Sequence, residues 1–302
     1  MIGLDWGLSG FRAFRLDAAG TVVERRSAPA GILTVADGDF EGVLAAQLGD
    51  WLDDRPIVAA GMIGSRQGWV EAPYVPCPAG VAELAAQLTR YASASAGDIW
   101  FVPGVRWADA HAIDVMRGEE TQIVGALTTC GLTRAVLCLP GTHSKWATVE
   151  GGRIVGFRTY MTGELYGVLR RHSILGRLMP GEPADDRADD VAFALGLARA
   201  AAPGGLLHHL FSARTAGLFE RIAAPALADY LSGLVIGDEV ANALATVPRD
   251  APVLLVGAEA LCQRYARALA RRDVAVTRLP EEVGARGLHA IARAAGLLGD
   301  DR

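Results

Sequence analysis

Ile2-Gly3-Leu4-Asp5-Trp6-Gly7-Leu8-Ser9-Gly10-Phe11-Arg12 has a later counterpart in Ala135-Val136-Leu137-Cys138-Leu139-Pro140-Gly141-Thr142-His143-Ser144-Lys145-Trp146. Each segment runs from an apolar strand through a loop of small residues into a second strand. In the first, residues 11–16 form the return strand, and a turn at Asp17-Ala18-Ala19-Gly20 leads into a third strand at 21–25. In the second, strand 135–139 is followed by 145–149, a turn at Glu150-Gly151-Gly152, and 153–158. Two similar three-strand meanders predict two domains of related design.

Outward from the meanders, residues 39–51 and 81–91 carry helical spacing, whereas 56–60 and 99–103 read as short buried strands. A helix over 116–130 leads into the second meander. Helices follow at 191–201 and 227–244, then a buried strand at 252–256, a helix at 258–271 and a last helix at 288–298. Strands and helices alternate twice, which predicts an α/β protein with two sheets. The Pro/Gly/Asp/Arg stretch 180–190 reads as a surface loop.

Composition narrows the function classes. A chain of 302 residues, 51% apolar and 21% charged, is too hydrophobic for disorder and has room for about two domains of ~150 residues. Twenty-nine basic against 34 acidic residues leave a net charge of −5, which argues against nucleic acid or an anionic membrane as partner. The longest charge-free stretches, 121–133 and 200–213, fall short of the ~18 apolar residues a membrane helix needs. Asp5 stands where a signal peptide has a basic flank and an apolar run, so the expected location is cytoplasmic. Cys77, Cys130, Cys138 and Cys262 form no C-x-x-C pair, which disfavours structural zinc and disulfides. Adjacent His208 and His209 must point in different directions. The oligomeric state is not legible in the sequence.

Three constellations carry chemistry. Asp5 ends a buried strand and is followed by glycines that let backbone amides approach an anion; such a carboxylate can hold Mg²⁺ beside phosphates. Gly141-Thr142-His143-Ser144-Lys145 offers hydroxyls, amides and an ammonium. Leu254-Leu255-Val256-Gly257-Ala258-Glu259 is an apolar strand that breaks at glycine and enters a helix, the kind of junction where α/β sheets bind nucleotides. Taken singly, each is equally a turn or an ordinary strand-to-helix junction.

Together, Asp5-x-Gly7-x-Ser9-x-x-Arg12, the 139–146 loop and Val256-Gly257 resemble the two phosphate loops and adenosine motif of the actin-like ATPase superfamily. Gly61-Met62-Ile63-Gly64-Ser65-Arg66-Gln67-Gly68-Trp69, Met116-Arg117-Gly118-Glu119-Glu120-Thr121-Gln122, Thr159-Tyr160-Met161-Thr162-Gly163-Glu164-Leu165 and Leu210-Phe211-Ser212-Ala213-Arg214-Thr215 narrow the likeness. They are similar to the 2-dehydro-3-deoxygalactonokinase family, over essentially the whole chain. The resemblance implies two actin-like (ribonuclease H-like) domains with an ATP and substrate cleft between them. The first would span 1–125, completed by a C-terminal helix at about 288–302, and the second 126–287. It also implies transfer of the ATP γ-phosphoryl group to the 6-hydroxyl of 2-dehydro-3-deoxy-D-galactonate, with Mg²⁺.

The resemblance implies roles as well. Asp5 organises the metal; Gly7, Leu8, Ser9, Gly141, Thr142 and Ser144 bind the ATP phosphates; Gly257 and Ala258 meet the adenosine. Lys145 is either a further cation for the phosphates or a solvated charge. Related kinases carry a catalytic aspartate where this chain has Glu119 and Glu120, with Asp114 nearby, so one glutamate is expected as base. The alternative is that both are first-turn charges favourable to the helix dipole. For the acid's carboxylate, Arg66 is the leading clamp, with Gln67 and Trp69 beside it and Arg12, Arg106, Arg117 and Arg158 in reserve. Trp69 reads equally as a core residue, and Gly233 to Gly237 as a helix contact more than an adenine contact. Other readings are a kinase for another sugar acid, such as 2-dehydro-3-deoxygluconate, and a sugar sensor with little turnover. Repressor relatives carry a DNA-binding module ahead of the first loop, for which Asp5 leaves no room, and an iron–sulfur activator would need clustered cysteines.

Overall fold

Strand Ile2–Trp6 alternates Ile2, Leu4 and Trp6 on one face with Gly3 and Asp5 on the other. Ile2, Leu4 and Trp6 enter a core with Phe11, Leu44 and Trp51, and the opposite face is covered by helix Val283–Ala294, whose Leu288 side chain comes against Gly3. The strand sits inside a six-stranded sheet ordered Val22–Ala28, Phe11–Leu16, Ile2–Trp6, Ile57–Ala60, Gly97–Phe101, Thr89–Ser93. Its pairing is antiparallel to Phe11–Leu16 and parallel to Ile57–Ala60, so Asp5 lies opposite Arg12 on one side and Ala60 on the other. Ile57–Ala60 is buried at every residue, as expected of a parallel strand covered on both faces.

The computed structural model describes residues 1–52, 55–179 and 190–299. Two units emerge from the contacts: Met1–Leu137 with Ala147–Phe157 and Leu279–Arg302, and Cys138–Trp146 with Arg158–Arg278. A second sheet of five strands is ordered Arg153–Tyr160, Ser144–Glu150, Ala135–Leu139, Val253–Val256, Val276–Leu279. Both meanders are therefore present, and each lies at one side of its sheet beside a crossover strand. The fold is mixed α/β, as the alternation predicts, with a third, three-stranded sheet beyond the two expected.

Several elements differ from expectation. The helical spacing over 81–91 yields helix only at Val81–Ala85, and Thr89–Ser93 is an edge strand antiparallel to Gly97–Phe101. Ser93 turns the chain there: its hydroxyl accepts from the Ala96 amide (3.0 Å) and donates to Glu41 (2.7 Å). A three-stranded sheet, Tyr74–Pro76, Gly104–Ala108 and Ile113–Met116, has no counterpart in the sequence reading. Because Ile113–Met116 pairs with Gly104–Ala108, the helix expected from Met116 starts at Glu119. The last helix is Val283–Ala294, five residues ahead of its expected start. Stretch 180–189, most of the expected loop, lies outside the described residues. His208 is exposed and His209 buried, so the two point in different directions.

Helix Glu119–Cys130 packs on Val283–Ala294 at backbone contact. A Cβ added at Gly125 would stand 1.9 Å from the Val283 carbonyl oxygen, and one at Gly287 1.9 Å from that of Thr121. In the other unit, Gly196 of helix Asp190–Ala200 and Gly233 of helix Leu227–Leu244 meet in the same way, with Cβ positions 2.2 and 2.3 Å from the Tyr230 and Phe193 carbonyls. Backbone cannot retreat as a flexible side chain can. Gly287→Ala should therefore destabilise the protein by about 3 kcal/mol, read as a lowered urea midpoint; an unchanged midpoint would show that the two helices separate freely.

Candidate active site

Asp5 reaches the end of its strand with 27% of its side chain exposed and Oδ2 held by Arg12 Nη2 at 2.9 Å. The second Arg12 nitrogen pairs with Glu281. Burial pushes the Asp5 carboxyl above the usual carboxylate range; the Arg12 cation opposes this, and the charges of Glu281 and Glu119 add to it. Three carboxylates thus share one electrostatic neighbourhood.

Two glycines bring the helix that carries Glu119 to this point. Gly61, at φ +94°, follows strand Ile57–Ala60, and a Cβ there would lie 2.8 Å from the Trp6 carbonyl oxygen and 3.3 Å from Asp5 Oδ1. Gly118, at φ +108°, caps helix Glu119–Cys130 and leaves only 3.2 Å between its own Cβ position and Gly61 Cα. Asp5, Gly61 and Gly118 are stacked at backbone distance, so Glu119 begins its helix beside the end of the first strand.

The two glutamates then diverge. Both Glu120 oxygens accept from the Gly118 amide, at 2.9 and 2.7 Å, and the residue is fully buried. Burial, with Glu119 next to it, raises the Glu120 carboxyl to about 8. Glu119 is half-buried and accepts from the Arg117 amide at 3.0 Å. Its charge is felt by both Asp5 and Glu120. Glu120 thus takes the inward, capping position, and Glu119 starts the helix within electrostatic reach of Asp5.

Among the acid-binding candidates, Arg66 is 86% exposed and 3.4 Å from Glu71, and Gln67 is exposed beside it. Trp69 belongs to an aromatic cluster, stacked on Phe40 at 5.9 Å and near Tyr91 and Phe101. Arg117 is 9% exposed, donates to the Ala72 carbonyl at 2.7 Å and lies over the Tyr74 ring. In the first loop the Gly7 amide donates to the Gly10 carbonyl at 2.9 Å, while Leu8 and Ser9 are exposed. A cavity of about 460 Å³ borders Gly7, Ser9 and Arg12.

The second loop leaves strand Ala135–Leu139, exposes Thr142 and His143, and buries Ser144 and Lys145. The Ser144 hydroxyl is 2.9 Å from that of Tyr265, and Lys145 Nζ donates to the His143 carbonyl at 3.4 Å. Lys145 is therefore not the solvated charge that one reading allowed. Helix Thr162–His172 starts against the loop, with the Glu164 amide on the Thr142 carbonyl (3.0 Å) and the Glu164 carboxylate 2.5 Å from His143 Nε2.

A cavity of about 220 Å³ opens on Gly141 and is walled by Tyr166, Ser232, Ile236, Leu261 and Tyr265. Gly257 abuts the same loop, its Cβ position 3.3 Å from the Pro140 carbonyl, whereas Ala258 caps helix Glu259–Ala270. The cavity wall lies one turn beyond Gly257 and Ala258. Leu261 and Tyr265, spaced i, i+4 on one helix face, are the signal that could have found it.

With this geometry in place, a model of the 2-keto-3-deoxy-galactonokinase family matches residues 5–291. The chain belongs to that family. The 2-dehydro-3-deoxygalactonokinase of Escherichia coli (strain K12) is 35% identical over 296 residues, which is 97% of each chain. The crystal structure of a candidate 2-dehydro-3-deoxygalactonokinase from Sinorhizobium meliloti superposes with a TM-score of 0.88 at 37% identity, covering 97% of this chain and 98% of that one. The activator of the 2-hydroxyisocaproyl-CoA dehydratase from Clostridium difficile, solved with bound ADPNP, shares the fold alone, at TM-score 0.52 and 16% identity over 97% and 95% of the two chains. The fold is that of actin-like ATPases and sugar kinases. Among the described residues, no helix is long and apolar enough to cross a membrane.

Glu120 makes stability depend on pH. A carboxyl that holds its proton more tightly when folded contributes stability at low pH, and this is lost as pH rises through the window from 4.5 to about 8. Glu120→Gln should therefore gain on the wild type between pH 5 and pH 8, by up to about 1.4 kcal/mol per pH unit crossed. Urea unfolding at both pH values measures the difference, and a constant gap would show that the carboxyl is ionised throughout.

Proposed function

We propose that this protein transfers the γ-phosphoryl group of ATP to the 6-hydroxyl of 2-dehydro-3-deoxy-D-galactonate, in the cytoplasm, as a step of galactonate catabolism. Family membership and the name of the E. coli relative support the reaction. The observation that carries it into this chain is the stack of Asp5, Gly61 and Gly118, which sets Glu119 beside the strand-end aspartate. Glu119 is the base: its carboxylate takes the proton of the acceptor hydroxyl late in transfer.

Asp5 fits a Mg²⁺ site. Its Oδ1 lies where a side chain at Gly61 would intrude, and the carboxylates around it repel one another, a cost a cation relieves. Among the described residues no group of three metal-ligating side chains is gathered. One carboxylate is enough for Mg²⁺, which takes one or two together with water and phosphate oxygens. When bound, the ion would supply charge neutralisation at the phosphates.

Amides free for phosphate are those of Leu8 and Ser9 in the first loop, where the Gly7 amide is given to Gly10. In the second loop they are those of Thr142 and of Gly141, which Ser144 holds only weakly, with Lys145 a buried cation behind them. The adenosine lies in the cavity of Tyr166, Ile236 and Tyr265, with Gly257 and Ala258 at its approach. Arg66, with Gln67, meets the acid's carboxylate from the exposed loop after Gly61, and Ser144 acts from within the loop, its hydroxyl turned to Tyr265.

Purified protein with ATP and Mg²⁺ should release ADP on addition of 2-dehydro-3-deoxygalactonate, faster than with the gluconate-derived epimer or plain sugars. Binding of nucleotide without turnover on any of these acceptors would overturn the kinase assignment. Glu119→Gln should lower kcat by about two orders of magnitude or more while Glu120→Gln stays within a few fold of wild type. The reverse ranking would exchange the two roles.

A further inference from the structure

Glu239, in helix Leu227–Leu244, is 2% exposed and has no part in the chemistry above. Its Oε1 accepts from the indole Nε1 of Trp146 at 2.8 Å, and its Oε2 accepts from the Tyr265 hydroxyl at 2.6 Å. The hydroxyls of Thr162 and Ser144 also favour its charged form. The Ser144 oxygen lies 2.9 Å from that of Tyr265 and accepts, weakly, from the Gly141 amide at 3.5 Å. Gly141, Thr162 and Tyr265 all line the 220 Å³ cavity. A buried carboxylate is thus wired through two hydroxyls to the first amide of the loop.

Each hydroxyl owns one proton. Because Tyr265 gives its proton to Glu239, Ser144 has only an inward direction for its own, toward the tyrosine oxygen and the carboxylate. Its lone pairs are left facing Gly141. The chain of donors therefore runs one way, from loop to carboxylate, and the carboxylate at its end dictates the direction.

We propose that Glu239 is a positioning residue that sets the hydroxyl polarity behind the Gly141-Thr142 loop and so holds the loop in its nucleotide-binding form. This rests on the reading of that cavity and loop as the nucleotide site. Trp146 makes the idea sharp, since an indole nitrogen only donates. In Glu239→Gln the amide oxygen must face Trp146, so the amide nitrogen must face Tyr265. Tyr265 then donates to Ser144, and the Ser144 proton is turned out of its inward direction to the loop side of the oxygen, beside the Gly141 N–H.

The test is a double-mutant cycle of Glu239→Gln and Ser144→Ala, read as Mg·ADP affinity by calorimetry, with thermal melting to confirm folding. Glu239→Gln should weaken Mg·ADP binding about tenfold with Ser144 present and by less than twofold with alanine there, since no proton is left to reverse. Equal losses in both backgrounds, wild-type affinity in Glu239→Gln, or unfolding that Ser144→Ala does not relieve would each overturn the proposal. So would a wild-type protein that fails to bind Mg·ADP. Turnover by the wild type, measured alongside on the keto acids, reports on the kinase assignment independently.

Discussion

Backbone-to-backbone helix contact through paired glycines is the constraint on which the rest of the structure depends. Gly125 and Gly287 lock Glu119–Cys130 to Val283–Ala294, and Gly196 and Gly233 lock Asp190–Ala200 to Leu227–Leu244. In neither pair does a flexible side chain stand between the helices to absorb a shift, so each is held in depth and rotation. Each pair positions one decisive carboxylate. The first sets Glu119 at the end of strand Ile2–Trp6; the second sets Glu239 below the loop that leaves strand Ala135–Leu139.

Burial then acts alike on Asp5, Glu120 and Glu239, raising the proton affinity of all three, and their partners separate their roles. Asp5 is offset by a guanidinium and keeps an edge toward solvent, which suits a group that meets a cation. Glu120 is offset by its own and the Gly118 backbone amides and by the Arg117 field, which together do not outweigh burial, so its net effect is a stability cost at high pH. Glu239 is met by a ring of neutral donors, which stabilise charge and fix the direction of every proton that points to it. Desolvation is common to all three, and their partners decide which keeps an edge toward solvent, which caps a helix and which anchors a buried donor network.

Much of this was legible in the sequence where the apolar pattern and the loop chemistry agreed. Strand 135–139 has the observed bounds because a continuous apolar run ends at Pro140, and helix 227–244 because its helical spacing of apolar residues stops short of Pro248. Residues 81–91 misled because Ala and Leu spacing suits a helix, while Thr89 and Tyr91 suit the edge strand that pairing with Gly97–Phe101 stabilises. The sheet of Tyr74–Pro76, Gly104–Ala108 and Ile113–Met116 is not legible because its strands are short, mix exposed and buried residues, and include a parallel partner about 30 residues away in the chain. In the site, Ser144 was named for its hydroxyl, but the direction of that hydroxyl belongs to Tyr265, far away in the chain.

The pair Glu119 and Glu120 shows why a motif alone stops short of a mechanism. Both stand in the first turn of one helix, both suit its dipole, and nothing in their identity separates them. Successive helical residues point about 100° apart, so only one of two adjacent glutamates can face a given neighbour. Which one does is decided by the rotation of the helix, and that rotation is set at Gly125 and Gly118, through contacts with Val283 and Gly61. The direction in which each glutamate points is thus carried by glycines that have no side chain of their own.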